Sequence, residues 1–126
     1  MAEPIVFDIA ERSPLQNEWQ RMHWRRRGRV CRVWATLLFA AHPKLPRTPI
    51  ARCAITIERF STQAPDRDGR YGGVKPILDA LQPASRTHPY GLGFIVDDSD
   101  ACVIDLKVNH IQSREKRTRI TIEPLT

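Results

Sequence analysis

Residues 50–83 read IARCAITIERFSTQAPDRDGRYGGVKPILDALQP, and the period of the apolar positions changes part-way through. Over 50–60 the period is two: Cys53, Ile55 and Ile57 point one way, and Arg52, Thr56 and Glu58 the other. Successive side chains leave a strand on opposite faces, so this alternation predicts a half-buried strand. From about Gly73 to Gln82 the apolar residues Val74, Ile77, Leu78 and Leu81 fall on one helical face, and Pro83 stops the run. A strand, an acidic loop and a helix thus follow one another here.

The rest of the chain extends this pattern. PIVFDI at 4–9 reads as a short strand with Ile5, Phe7 and Ile9 on one face. Between Val30 and Ala41, Val30, Trp34, Leu37, Leu38 and Ala41 form the apolar stripe of a helix. Proline-punctuated connections follow at 43-PKLPRTP-49 and 83-PASRTHPYGLG-93. Two alternating strands close the chain. Cys102, Ile104, Leu106 and Val108 face inward over 101–110, and Ile120 and Ile122 do so over 117–124. The charged turn 112-QSREKR-117 predicts a hairpin between them. The order β, α, β, α, β, β implies an α/β (α+β) fold: a small single domain spanning 1–126, with a mixed, mainly antiparallel sheet and two main helices.

The net charge is +6 with a pI near 9.8, and all but four of the 20 basic residues are arginine. Arginine's planar fork suits phosphate, so the composition points to a polyanionic partner. No apolar run approaches the roughly 20 residues of a membrane span, and the opening MAEPIVFDIAERSP lacks the shape of a signal peptide. The expectation is a cytoplasmic protein without a membrane partner. Cys31, Cys53 and Cys102 are odd in number and irregularly spaced, which argues for small buried hydrophobes over a disulfide framework or a zinc site. The four histidines show no ligand spacing.

Against this basic background, acid is concentrated in 65-PDRDGRYGGVK-75 and 97-DDSD-100. In an extended loop Asp66 and Asp68 would project to the same side. Asp97 and Asp98 precede the strand at 101–110, so the two groups can meet at one edge if strands 50–60 and 101–110 are neighbours. Two carboxylates about 4 Å apart repel by roughly 4 kcal/mol at an effective dielectric of 20, which a cation would relieve. Carboxylate-only sites suit Mg²⁺ or Mn²⁺. The alternative is that these acids are solvated turn formers. The segment 24-WRRRGR-29 is the candidate phosphate-binding run, with Trp19 and Trp24 available for base stacking or for packing. Asp79, four residues after Lys75, can pair with it across one helical turn.

Three separated blocks, D66-R-D68, K75-P-I-L-D79-A-L81 and F94-I-V-D97-D98-S-D-A-C-V103, resemble the RusA family of Holliday-junction resolvases. The opening 14-PLQN-17 is similar to the family's P-x-x-N start, so the likeness spans nearly the whole chain in order. The resemblance implies a homodimeric, Mg²⁺-dependent endonuclease, with Mn²⁺ as a possible substitute, that resolves four-way DNA junctions by paired symmetric nicks in recombination and repair. It implies a nucleoid setting in a bacterium or phage. Asp66, Asp68 and Asp98 would be catalytic metal ligands with Asp97 as a helper, and Lys75 the catalytic lysine. Asn17, Arg25, Arg26, Arg27 and Arg29 would contact DNA. Two departures stand out: Gly69 replaces the family's asparagine, and three extra residues precede Lys75. They leave a second reading, a RusA-like protein that binds branched DNA with weak or lost cleavage.

Overall fold

A computed structural model describes residues 3–125. Strand β1 (Ile5–Ile9) leads through α1 (Gln16–Arg21) into α2 (Trp24–Ala41), and β2 (Cys53–Ser61) follows. Two short helices, α3 (Arg67–Gly72) and α4 (Lys75–Leu81), connect β2 to β3 (Val103–Gln112), and β4 (Arg117–Pro124) ends the chain. The strands form one sheet in the order β1-β4-β2-β3. β4 is antiparallel to both β1 and β2, and β3 runs parallel to β2. The fold is thus mixed α+β with a mainly antiparallel sheet.

The expected hairpin is not there. β3 and β4 flank β2 on opposite sides, so the turn between them passes over the end of β2, where the Ser113 amide donates to Ser61 O at 3.1 Å. A short turn cannot tell adjacent strands from strands one position apart. The inward row of β3 also shifts. The register slips between Cys53 and Ala54, which face Val103 and Asp105 across the ladder, and Ile104 is left outside, 46% exposed. Such a bulge turns two successive residues to one side, and Val103 takes the buried position in its place.

One face of the sheet is packed. Phe7, Ile55, Ile57, Val108, Ile120 and Ile122 meet Trp34 and Leu38 of α2 and Ile77 and Leu81 of α4. Phe94 closes this core edge-on against Phe7, with centroids 5.1 Å apart. Each of these large side chains contributes about 1.5–3 kcal/mol through burial. Segment 92–95 also satisfies the end of α4: Phe94 and Ile95 amides both donate to Leu81 O, and Leu92 N–H donates to Ala80 O. Cys53 and Cys102 are buried and unpaired, as small hydrophobes. Burial, aided by the neighbouring Cys102, pushes the Cys53 thiol up to about 12. Among the described residues no helix is long and apolar enough to cross a membrane.

Helix α2 begins six residues before its apolar stripe. His23 caps it, its Nδ1 accepting from the Arg25 amide at 3.2 Å. The whole arginine run 25–29 is therefore helical and rigidly spaced.

Candidate nucleic-acid interface

The acidic segment at the end of β2 is held against the opening of α1. Gly72 and Gly73 make this possible. A Cβ on Gly73 would collide with the backbone carbonyl of Pro14, and one on Gly72 with the Gln16 side chain. The paired glycines before Lys75 therefore let the end of α3 press onto segment 14–16. Arg70 fixes the other side of α3, donating from Nε to Val108 O at 2.9 Å and from Nη1 to Pro65 O at 2.9 Å. Together with Tyr71, whose hydroxyl reaches Leu106 O at 3.4 Å, it covers the free edge of β3.

Asp66 and Asp68 do not lie in an extended loop. Asp66 is the N-cap of α3, with Oδ1 accepting from the Gly69 amide at 2.6 Å, and Asp68 stands in the helix's first turn. Acid at a helix N-terminus is favourable on its own account. A Cβ on residue 69 would sit 2.8 Å from that same Oδ1, so glycine suits the tight cap. Both aspartates are exposed, and with Asn17 and Gly69 they line one open cleft.

Two further clefts adjoin this one, and arginines line both. One shares Asn17 with it and is lined by Glu18, Arg21, His23 and Arg26. The other shares Leu15, Asn17 and Pro65 with it and is lined by Arg12, Glu18, Arg59 and Ser61. Arg25, Arg26 and Arg29 project from α2 into solvent, and Arg25 lies over the exposed ring of Trp24 at 5.2 Å. Arg27 is different. Its Nε and Nη2 donate to Trp19 O and Gln20 O at 3.1 and 3.0 Å, and its guanidinium lies over the buried Trp19 ring. It fastens the C-terminal turn of α1 to α2 and has little left for a ligand.

Lys75 belongs to another neighbourhood. Its Nζ lies 3.5 Å from Asp79 Oδ1, the pairing across one turn that the spacing implies. Asp79 is nearly buried and also faces His88, whose Nδ1 is 3.8 Å away. Cys31 sits nearby, its thiol pushed up by burial and by Asp79, with Lys75 opposing. Asp79, His88 and Cys31 line a separate cleft between α2, α4 and loop 87–91.

Asp97 and Asp98 stay apart from Asp66 and Asp68. The strands that carry them are neighbours, as supposed, but parallel, so the end of one and the start of the other lie at opposite ends of the sheet. Pro65, beside Asp66, is tied through Arg70 to Val108, whereas the turn carrying Asp98 is tied at Ser99 O to the Val103 amide, five residues back along β3. At roughly 3.3 Å per residue those anchors are about 16 Å apart. Asp97 and Asp98 are exposed, and Asp97 Oδ1 accepts from the Asp98 amide at 2.8 Å. Among the described residues no three His, Cys, Asp or Glu side chains gather as a metal site. One Mg²⁺, reaching oxygens at about 2.0–2.1 Å, does not fit a set of Asp66, Asp68 and Asp98 drawn from a single chain.

No protein-family model matches the chain, and no characterised protein matches it in sequence. The residues the sequence reading passed over are Arg12, Glu18 and Arg59. A signal for Arg59 was present, because it continues the odd-numbered row Cys53, Ile55, Ile57 and so carries a charge on the core face of β2.

Proposed function

We propose that this protein engages branched DNA through the α1–α3 cleft and the arginine face of α2, and that it acts there as a RusA-like junction endonuclease. The observation that carries the proposal is the placement of Asn17, Asp66 and Asp68 in one cleft that adjoins two arginine-lined clefts. Arginines neutralise successive phosphates, which supplies sequence-independent affinity. Carboxylates beside them repel phosphate, so their presence in a basic groove needs a purpose other than binding. In a nuclease that purpose is to hold a divalent ion, which activates water and steadies the leaving oxygen. Among the described residues, Asp66 and Asp68 are the carboxylates this cleft would offer such an ion. Two copies of the chain would supply the symmetry that paired nicks require.

The separation of Asp97 and Asp98 from the cleft, and of Lys75 toward Asp79, favours a second reading: a protein that holds junctions without cutting them. Incubating the protein with a labelled four-way junction or a linear duplex, in Mg²⁺, Mn²⁺ or EDTA, separates the two. Metal-dependent symmetric nicks that vanish in Asp68→Asn support the endonuclease. Tight junction binding without nicks in either metal leaves the second reading. Equal affinity for duplex and junction contradicts both.

A further inference from the structure

Arg59 is 2% exposed, and among the described residues it forms no ion pair. Its Nε donates to Ser13 O at 2.8 Å and its Nη1 to Ser61 Oγ at 3.1 Å, both neutral oxygens. Ser61 Oγ spends its own proton on Gln63 O at 2.9 Å, so its lone pairs are left to face the guanidinium. Among the described residues no carboxylate lies within ion-pair distance of Arg59. Its charged neighbours are Arg12, of the same sign, and Glu18, which weighs less on it and also accepts from the Leu15 amide. Burial, with Arg12 adding to it, pulls the Arg59 pKa down, and Glu18 only partly opposes this. A buried charge is ordinarily paired, and this one is placed beside a second cation instead.

Arg59, Arg12 and Asn17, with Glu18, line an open cleft of about 330 Å³ at the end of β2. It adjoins the cleft of Asp66 and Asp68, sharing Leu15, Asn17 and Pro65 with it. We infer that Arg59 and Arg12 form an oxyanion subsite that takes one backbone phosphate of a nucleic-acid strand, beside the Asp66–Asp68 cleft. The bound phosphate is the missing counter-ion. Arg59, held by Ser13 and Ser61, is the pre-set donor at the back of the site, and Arg12 at the exposed rim closes over the anion. The choice of a nucleic-acid phosphate rests on the reading above; the demand for an anion does not.

The test uses the full chain with ¹⁵N-labelled arginine side chains, titrated first with inorganic phosphate and then with a short oligothymidylate. The expected result is a saturable shift of the Arg59 guanidinium signals with both ligands. Arg12→Gln, at an exposed position that leaves the core intact, should weaken both by about tenfold, the worth of one charge-assisted hydrogen bond. Arg59 signals that stay still, or that move no more than those of exposed Arg86, overturn the subsite. A junction that binds while Arg59 stays still refutes the subsite and leaves the proposed function standing. Saturable phosphate and oligothymidylate binding in a protein with no preference for junctions does the reverse.

Discussion

Asp66 and Asp68 lie in a cleft that adjoins arginine-lined ones, pressed against the start of α1 by two glycines that admit no side chain. Asp97 and Asp98 lie in an exposed turn at the other end of the β2–β3 pair, one capping the next. By composition the two stretches are alike, and by spacing each resembles half of one metal site. Their surroundings differ in what the chain has spent on them. Around the first, α1, α3 and the edge of β3 are locked together, and among the described residues a buried arginine is kept without a carboxylate in ion-pair reach. The second is tied by the Cys102 and Val103 amides on Ser99 O, and its aspartates contribute one local hydrogen bond that any turn aspartate can make. Acid alone therefore says little about function; acid fixed within a basic, close-packed frame says more.

The sharpest way to break the contrast is Gly73→Ala. The added methyl meets the Pro14 carbonyl, so α3 must lift from α1 at a cost of about 3 kcal/mol, near the top of the range for overpacking. Chemical denaturation should show that loss, and DNA binding should fall with it, while the 97–100 turn keeps its native amide shifts. A variant as stable as the parent would mean that the α1–α3 contact is not what holds the cleft.

The arginine face offers the next effect. If Arg25, Arg26 and Arg29 each neutralise a phosphate, replacing all three with Gln lowers the log–log salt slope of binding by about 2.7, so the affinity lost between about 50 and 200 mM salt shrinks roughly 40-fold. Arg27→Gln should leave that slope alone and instead lower stability by about 1–2 kcal/mol, through the two hydrogen bonds that hold α1. The smallest effect separates the acids. Asp66→Ala removes a helix cap worth about 1 kcal/mol, while Asp98→Ala, at an exposed turn, should stay within about 0.5 kcal/mol of the parent. Thermal melts of the two side by side would show it, and equal losses would erase the distinction drawn here.

Much of the architecture was legible from periodicity. The rows Phe7–Ile9, Ile55–Ile57 and Ile120–Ile122, and the stripe Trp34–Leu38, are buried where alternation and helical spacing put them. The short helices α1 and α3 were not, because six residues make fewer than two turns and show no stripe. The start of α2 was hidden for a related reason: residues 25–29 carry four arginines and a glycine, with no apolar residue to mark a face. Strand partners were out of reach as well. Parity shows which side chains go inward, but the choice of β2 over β3 as the neighbour of β4 depends on long-range pairing. That choice decides the site, since the parallel β2–β3 pair is what sends Asp97 and Asp98 away from Asp66 and Asp68. Asp66 and Asp68 stood out by residue type and spacing and Asn17 through the RusA resemblance, and the fold brings the three to one cleft. Arg59 was missed because a charged residue at an inward position of a strand reads as an interruption of the pattern.

Amide chemical-shift mapping with a four-way DNA junction tests the central claim most directly. Perturbations should cluster on Arg12, Asn17, Arg26, Arg59 and Asp68 and leave the turn at 97–100 undisturbed. A junction that shifts Asp97, Asp98 and their neighbours while the α1–α3 cleft stays silent would contradict the account.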